Sequence, residues 1–369
     1  MSSLFDAELT QVIDRNIEYP KQIWYGLAIF LFVVGCFQWG SSLHSKFAKY
    51  QQQESDEEST SNNHIHYKFS LRRIPFAFIN IYRVVAFRWT LEIGQTYTLN
   101  IAEIFVTLGY IALLYTYTFI NTTSLDGQKA DILYWSSRAA RVAASQIPLV
   151  AALGTKNNIV SLVTGISYDK LNYIHRMMAR TCFTLLCVHG ASEASSYPYF
   201  RLSLNDQWLR SGMTAIAALF ALIIVSLRPI RQEAYEVFFY THFISVLIFL
   251  VGAYHHTAEY NASFWIWPSI VIWGLDRFIR MVRLVVFNHS YFGFKSGSGT
   301  MDGTTELLSE NLVRLRLSRP PHFHWSPGQT AYLIMPSVST LPFEAHPFTI
   351  ASFDSSLIQT TVPEDQSNS

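Results

Sequence analysis

YIHRMMARTCFTLLCVHG (residues 173–190) and YTHFISVLIFLVGAYHHT (residues 240–257) decide how this chain folds. Both are largely apolar and lie in stretches near the roughly 20 residues that a helix needs to cross a bilayer. Each carries a histidine near either end. His175 and His189 are fourteen residues apart, and so are His242 and His256. Fourteen residues of α-helix turn through about 1,400°, about 40° short of four full turns, and rise about 21 Å. The two imidazoles of each helix therefore share a face, one near each edge of the hydrocarbon.

The rest of the chain suits that environment. Of 369 residues, 50% are hydrophobic and only 14% charged, against about a quarter in ordinary globular domains. A net charge of +1 makes no case for nucleic acid or an acidic partner. The cysteines, Cys36, Cys182 and Cys187, lie in apolar stretches and suggest neither a disulfide framework nor a zinc site. The first apolar run begins near Ile23, behind Asp6, Glu8, Asp14 and Glu18, and reads as a retained span rather than a cleaved signal.

Seven stretches are expected to span: 23–40, 97–120, 135–154, 171–191, 211–228, 235–256 and 263–285. The third is the weakest, with Arg138, Arg141 and Gln146, and Pro148 is expected to kink or end it. Lys and Arg gather in 41–96, between spans three and four, between five and six, and at the close of seven, which marks those ends as cytoplasmic. The alternate loops hold the glycosylation sequons at Asn121 and Asn261. The N-terminus is thus expected outside and the C-terminus inside. Residues 51–63, QQQESDEESTSNN, read as a disordered loop. Beyond a Ser-Gly linker at 296–299, Leu312–Leu317 alternates as a half-buried strand, and Ala331–Met335 is a second strand.

Topology pairs the histidines. Spans four and six both enter from the cytoplasm, so His175 and His242 share the inner level, and His189 and His256 the outer. Haem iron takes axial imidazoles, and a helix bundle can hold the macrocycle, so two bis-histidine haem sites stacked across the membrane are expected. Intramembrane ionisable groups are costly and mark function. His255 would sit about 140° from His242 in a straight helix, which favours His256; a π-bulge would recruit His255 instead.

The double histidine pair, with His175-Arg176 opening the first, resembles the ferric reductase and NADPH oxidase superfamily, and the spacing of fourteen in both helices resembles the fungal ferric reductases. Ser137–Arg141 through Pro148-Leu149 to Lys156–Asn158 looks like the span preceding the first haem helix of that family. The segment His346-Pro347-Phe348-Thr349-Ile350-Ala351-Ser352 looks like its flavin-lining segment. The resemblance covers roughly 95–365. It implies an all-α polytopic membrane bundle followed by a partial cytoplasmic β-barrel FAD-binding domain. The divisions would be an N-terminal span and linker (1–96), the two-haem domain (97–285) and the partial flavin domain (300–369).

The resemblance further implies two haem b, with FAD held by His346, Pro347, Phe348 and Thr349. NADPH would be the donor and extracellular ferric chelates the acceptor, in a multi-pass protein of the plasma membrane. Seventeen residues follow Ser352 and contain no Gly-rich βαβ segment. The dinucleotide site is therefore expected in a continuation of the chain or on a separate electron-supplying polypeptide. The rivals are a superoxide-releasing oxidase and a non-catalytic haem-binding membrane protein. His322 and His324 read as loop or strand polar residues.

Overall fold

Helices occupy each of the seven apolar stretches, and capping chemistry explains several of their ends. The computed structural model describes residues 2–58, 74–93, 97–196, 205–288, 303–317, 323–335, 338 and 345–354. The chain divides into two compact units, Met1–Arg277 and Phe278–Ser369.

Helix α1 (Ser2–Glu58) runs far beyond the expected 23–40 and carries Pro20 within it. The acidic tract expected to be disordered continues this helix to Glu58, and the rest of the tract lies outside the described residues. Gln and Glu lose little rotamer freedom in a helix, and extending an existing helix needs no new nucleus. Helix α2 (Ile74–Arg83) passes into a π-helical turn, Val84–Arg88. Strands β1 (Thr90–Ile93) and β2 (Tyr97–Asn100) then pair antiparallel, Thr90 opposite Asn100. Asn100 ends the strand and starts α3 (Ile101–Phe119). Its Oδ1 accepts from the Glu103 N–H at 2.8 Å, while Glu103 Oε2 accepts from its own N–H at 3.0 Å. This reciprocal cap places the helix start at Ile101 rather than at 97.

Helix α4 (Ile132–Gly154) is the most deeply packed. Asp131 caps it through the Leu133 N–H at 2.9 Å. Pro148 does not end it; the helix continues to Gly154, with the Trp24 indole donating to the Ser145 carbonyl at 2.8 Å. Its polar residues face protein: Arg138, Ser145 and Gln146 are all 0% exposed. Arg138 Nη1 donates to the carbonyls of Thr118 (3.3 Å) and Ile120 (2.6 Å), closing the C-terminal end of α3, and its guanidinium lies 4.9 Å from the Tyr19 ring centroid. Its Nε and Nη2 have no hydrogen-bond partner among the described residues.

A short helix α5 (Ile159–Thr164), capped by Asn158 and closed by Gly165 at φ 67, leads to α6 (Tyr168–Ser196). Then come α7 (Gln207–Val225), the short α8 (Arg228–Glu233), α9 (Tyr235–Ala258) and α10 (Trp267–Phe287). The buried core joins Ile23 of α1, Leu114 of α3, Val142 of α4, Leu185 of α6, Leu219 of α7 and Phe249 of α9. Helices α7 and α9 touch at backbone distance, because a Cβ on Gly252 would lie 2.9 Å from the Ser211 carbonyl oxygen. Small residues at such crossings let membrane helices approach closely.

Among the described residues, four helices are long and apolar enough to cross a membrane: the Asp6–Phe47 part of α1, α3, α7 and α9. This is a membrane protein. Helices α4, α6 and α10 have the length, at 23, 29 and 21 residues, but carry charge. In the C-terminal unit, β3 (Gly303–Ser309) pairs antiparallel with β4 (Leu312–Leu317), a strand at the expected position but exposed along its length rather than half-buried. Strand β5 (Thr330–Ile334) pairs with β6 (Ala345–Thr349). The described residues of this unit form two separate two-stranded sheets, so the expected barrel is not closed among them.

Gly252→Val is expected to push α7 from α9 and to destabilise the bundle by about 1–3 kcal/mol, as overpacking does. The thermal unfolding midpoint of the detergent-solubilised chain is the measurement, and a parent-like midpoint would show that the crossing tolerates a side chain.

Candidate functional site

An imidazole inside an apolar bundle needs an acceptor for its N–H, since a buried unpaired polar group costs about 1–3 kcal/mol. Each of the four spaced histidines finds a partner on, or at the end of, the helix beside its own. On α6, His175 Nδ1 lies 2.7 Å from the Val150 carbonyl oxygen and His189 Nδ1 lies 3.2 Å from that of Ser136, both on α4. On α9, His256 Nδ1 lies 2.9 Å from the Trp208 carbonyl oxygen of α7. His242 Nδ1 lies 3.3 Å from the Ser226 hydroxyl at the end of α7. A carbonyl can only accept, so Nδ1 carries the proton in His175, His189 and His256. Nε2 is left with its lone pair outward, the form a metal needs.

Glycines make this geometry fit. A helical carbonyl at position i already accepts from the N–H of residue i+4. A second donor approaching it passes where the i+4 Cβ would stand. Residue i+4 is Gly154 behind Val150 and Gly212 behind Trp208. A Cβ on Gly154 would lie 3.0 Å from His175 Cε1, and one on Gly212 would lie 2.6 Å from His256 Nδ1. Behind Ser136 the corresponding residue is Ala140, and there the bond lengthens to 3.2 Å.

The two outer rings face each other with centroids 6.4 Å apart and planes at 59°. A metal–imidazole bond of about 2 Å puts each ring centroid about 3 Å from the metal, so a centre held between two imidazoles separates them by about 6 Å. The spacing fits one shared axial site. Trp208 and Tyr260 flank His256 at 5.8 and 5.9 Å. At the inner level His242 packs on Phe238 at 5.3 Å. His255 instead is exposed, against Tyr254 at 5.7 Å, and lines an open groove with Ser211 and Thr214. Among the described residues no three His, Cys, Asp or Glu gather into a conventional metal cluster. Two facing imidazoles without further metal-ligating side chains gathered around them suit a macrocyclic metal centre better than a bare ion.

In the C-terminal unit, His346, Pro347, Phe348 and Thr349 all lie on β6, opposite Leu333, Tyr332, Ala331 and Thr330 of β5. Phe348 is 55% exposed. The loop before β5 is tied to the chain after β6. Gly328 N–H donates to Ile350 O at 2.7 Å, the Trp325 indole to Ser352 O at 3.0 Å, and His324 Nδ1 meets Asp354 Oδ2 at 3.0 Å. Residue 322 lies outside the described set.

Residues 139–253 match the model of the ferric reductase-like transmembrane component, and residues 300–362 that of a FAD-binding domain. The chain thus resembles ferric reductases over its membrane helices and a FAD-binding domain over its C-terminal strands. It is 31% identical over 225 residues to a probable cell surface ferric reductase of Aspergillus oryzae, covering 58% of this chain and 29% of that one. Ferric reductase transmembrane component 3 of Saccharomyces cerevisiae is 27% identical over 221 residues, 59% of this chain and 29% of its own. Component 4 of the same yeast is 24% identical over 261 residues, 67% and 34% respectively. The match thus spans about a third of the length of each relative or less.

The supporting residues Gly154, Gly212 and Ser226 were not singled out by sequence. An isolated glycine in a helical run is the signal that could have found the first two. Gly212→Ala should displace the His256 ring and break its bond to Trp208. NMR of isotope-labelled histidine should then lose one Nδ1–H signature, whereas Ala140→Gly should keep them all and shorten the His189 bond. An unchanged spectrum for Gly212→Ala would refute the glycine argument.

Proposed function

We propose that this chain is the electron-carrying part of a ferric-chelate reductase, with two b-type haems between α6 and α9 and FAD on the C-terminal unit. The facing His189 and His256 rings at 6.4 Å, with Nδ1 tied back to carbonyls, carry the reading. His175 and His242 would be the axial ligands of the inner haem, His189 and His256 those of the outer. When bound, haem supplies a one-electron couple and flavin divides the hydride of NADPH into single electrons, giving a path from the cytoplasm through FAD and the two haems to ferric chelates outside. The chain's own part is to hold four imidazoles in a ligating form and to keep water out of the bundle. Two imidazoles would hold each haem iron, which would favour electron transfer over oxygen binding at the metal.

Seven helices cross the membrane in this reading: α1, α3, α4, α6, α7, α9 and α10. The burial of Arg138, Ser145 and Gln146 supports α4 as a span despite its polarity. The distribution of Lys and Arg supports an N-terminus outside and a cytoplasmic C-terminal unit. The plasma membrane and ferric iron as acceptor rest on the likeness to cell surface ferric reductases. On β6, exposed Phe348 offers a face to the isoalloxazine, and His346 and Thr349 offer polar groups to the ribityl chain and pyrophosphate.

The full chain purified from membranes is expected to bind two low-spin haems. His189→Ala or His256→Ala should leave one, and His255→Ala should leave two. A single haem in the parent protein, or a loss on His255→Ala, overturns the ligand scheme. Separately, Phe348→Ala should weaken FAD binding about fivefold, the equivalent of roughly 1 kcal/mol of aromatic stacking, with the haem spectrum unchanged. Calorimetric titration with FAD reads that effect.

A further inference from the structure

The two levels of histidines differ in one respect. His189 alone of the four has a carboxylate at its Nδ1 side: Glu193 Oε1 lies 3.8 Å from that nitrogen, one helical turn further along α6. His175, His242 and His256 have no carboxylate partner among the described residues. Glu193 is also held in place. The Ser136 hydroxyl donates to the same Oε1 at 2.7 Å, the Ser137 hydroxyl reaches it at 3.4 Å, and Ser136 in turn touches the Ser192 hydroxyl at 2.6 Å. The serines come from α4 and the carboxylate from α6, so the contact is built across the same helix pair that supplies the Ser136 carbonyl to His189.

A carboxylate beside the Nδ1–H of a metal-bound imidazole makes the imidazole more basic and adds negative charge near the metal. Both effects favour the ferric over the ferrous state. We propose that Glu193 is a positioning residue that acts through His189 to lower the reduction potential of the outer haem, leaving the inner haem untouched. The couple concerned is the uptake of one electron by ferric haem iron to give ferrous iron. A lower potential at the exit makes the outgoing electron a stronger reductant for a ferric chelate. This inference rests on the two-haem reading above.

The test is a spectroelectrochemical titration of the full chain with both haems bound, in detergent, comparing the parent with Glu193→Gln. The amide keeps the size and the contacts to Ser136 and Ser137 but removes the charge. One of the two haem couples should shift toward the reduced form by about tenfold in equilibrium constant, or about 59 mV for one electron. The other couple should stay where it is. Glu193→Asp, which keeps the charge but retracts it, should fall between parent and Gln, and it serves if the Gln variant does not accumulate. Two unchanged potentials, or equal shifts in both, overturn the role of Glu193. A parent protein without two haems overturns instead the reading on which it rests.

Discussion

Much in the membrane unit turns on where the Nδ1–H groups of His175, His189 and His256 find acceptors inside the bundle. A helix leaves no free backbone group along its length, so an intruding imidazole must share a carbonyl that is already bonded. That is feasible only if the neighbouring helix lies within one side chain's reach and presents little bulk at the point of approach. The pairing of α4 with α6 and of α7 with α9 meets both conditions. On α4 the accepting carbonyls of Ser136 and Val150 are themselves fourteen residues apart, matching His189 and His175 on α6. Two helices with the same residue interval present matched faces along their whole contact. The histidine interval therefore places constraints on the partner helix as well as on its own.

Much of this could be read in the sequence, for reasons that particular residues make plain. The fourteen-residue intervals identify one face of α6 and one of α9 because helical periodicity is rigid over four turns. The choice of His256 over His255 follows from the same geometry, and the structure turns His256 toward His189 and His255 outward. Helix ends were less legible. The start of α3 depends on a reciprocal cap between Asn100 and Glu103, and the persistence of α4 past Pro148 depends on the packing around it. The reach of α1 to Glu58 was missed because a polar Gln-Glu tract is compatible with either helix or coil. Its neighbour in the chain decides between them.

The C-terminal unit shows the converse. Its strands alternate visibly in sequence, and β4 falls at Leu312–Leu317 as expected. What local pattern could not show is the closure around β5 and β6. There a residue read as an ordinary loop histidine, His324, meets the buried carboxylate of Asp354 across thirty positions. Such a long-range pair has no periodic signature. It matters here because the same closure fixes the ends of the strand that bears His346 to Thr349.

Arg138 has a consequence for how the molecule is made. Its guanidinium is enclosed by α1, α3 and α4, with two nitrogens lacking a hydrogen-bond partner among the described residues. Moving an arginine alone into the centre of a bilayer costs on the order of 3 kcal/mol on the scale set by the cellular insertion machinery. Helix α4 is thus poorly suited to enter lipid alone. The Tyr19 ring and the α3 carbonyls that receive its charge are translated earlier, so they can already be waiting when α4 emerges from the ribosome. In the proposed seven-span arrangement, the order of helices along the chain is an assembly schedule, in which the most polar helix follows the ones that shelter it.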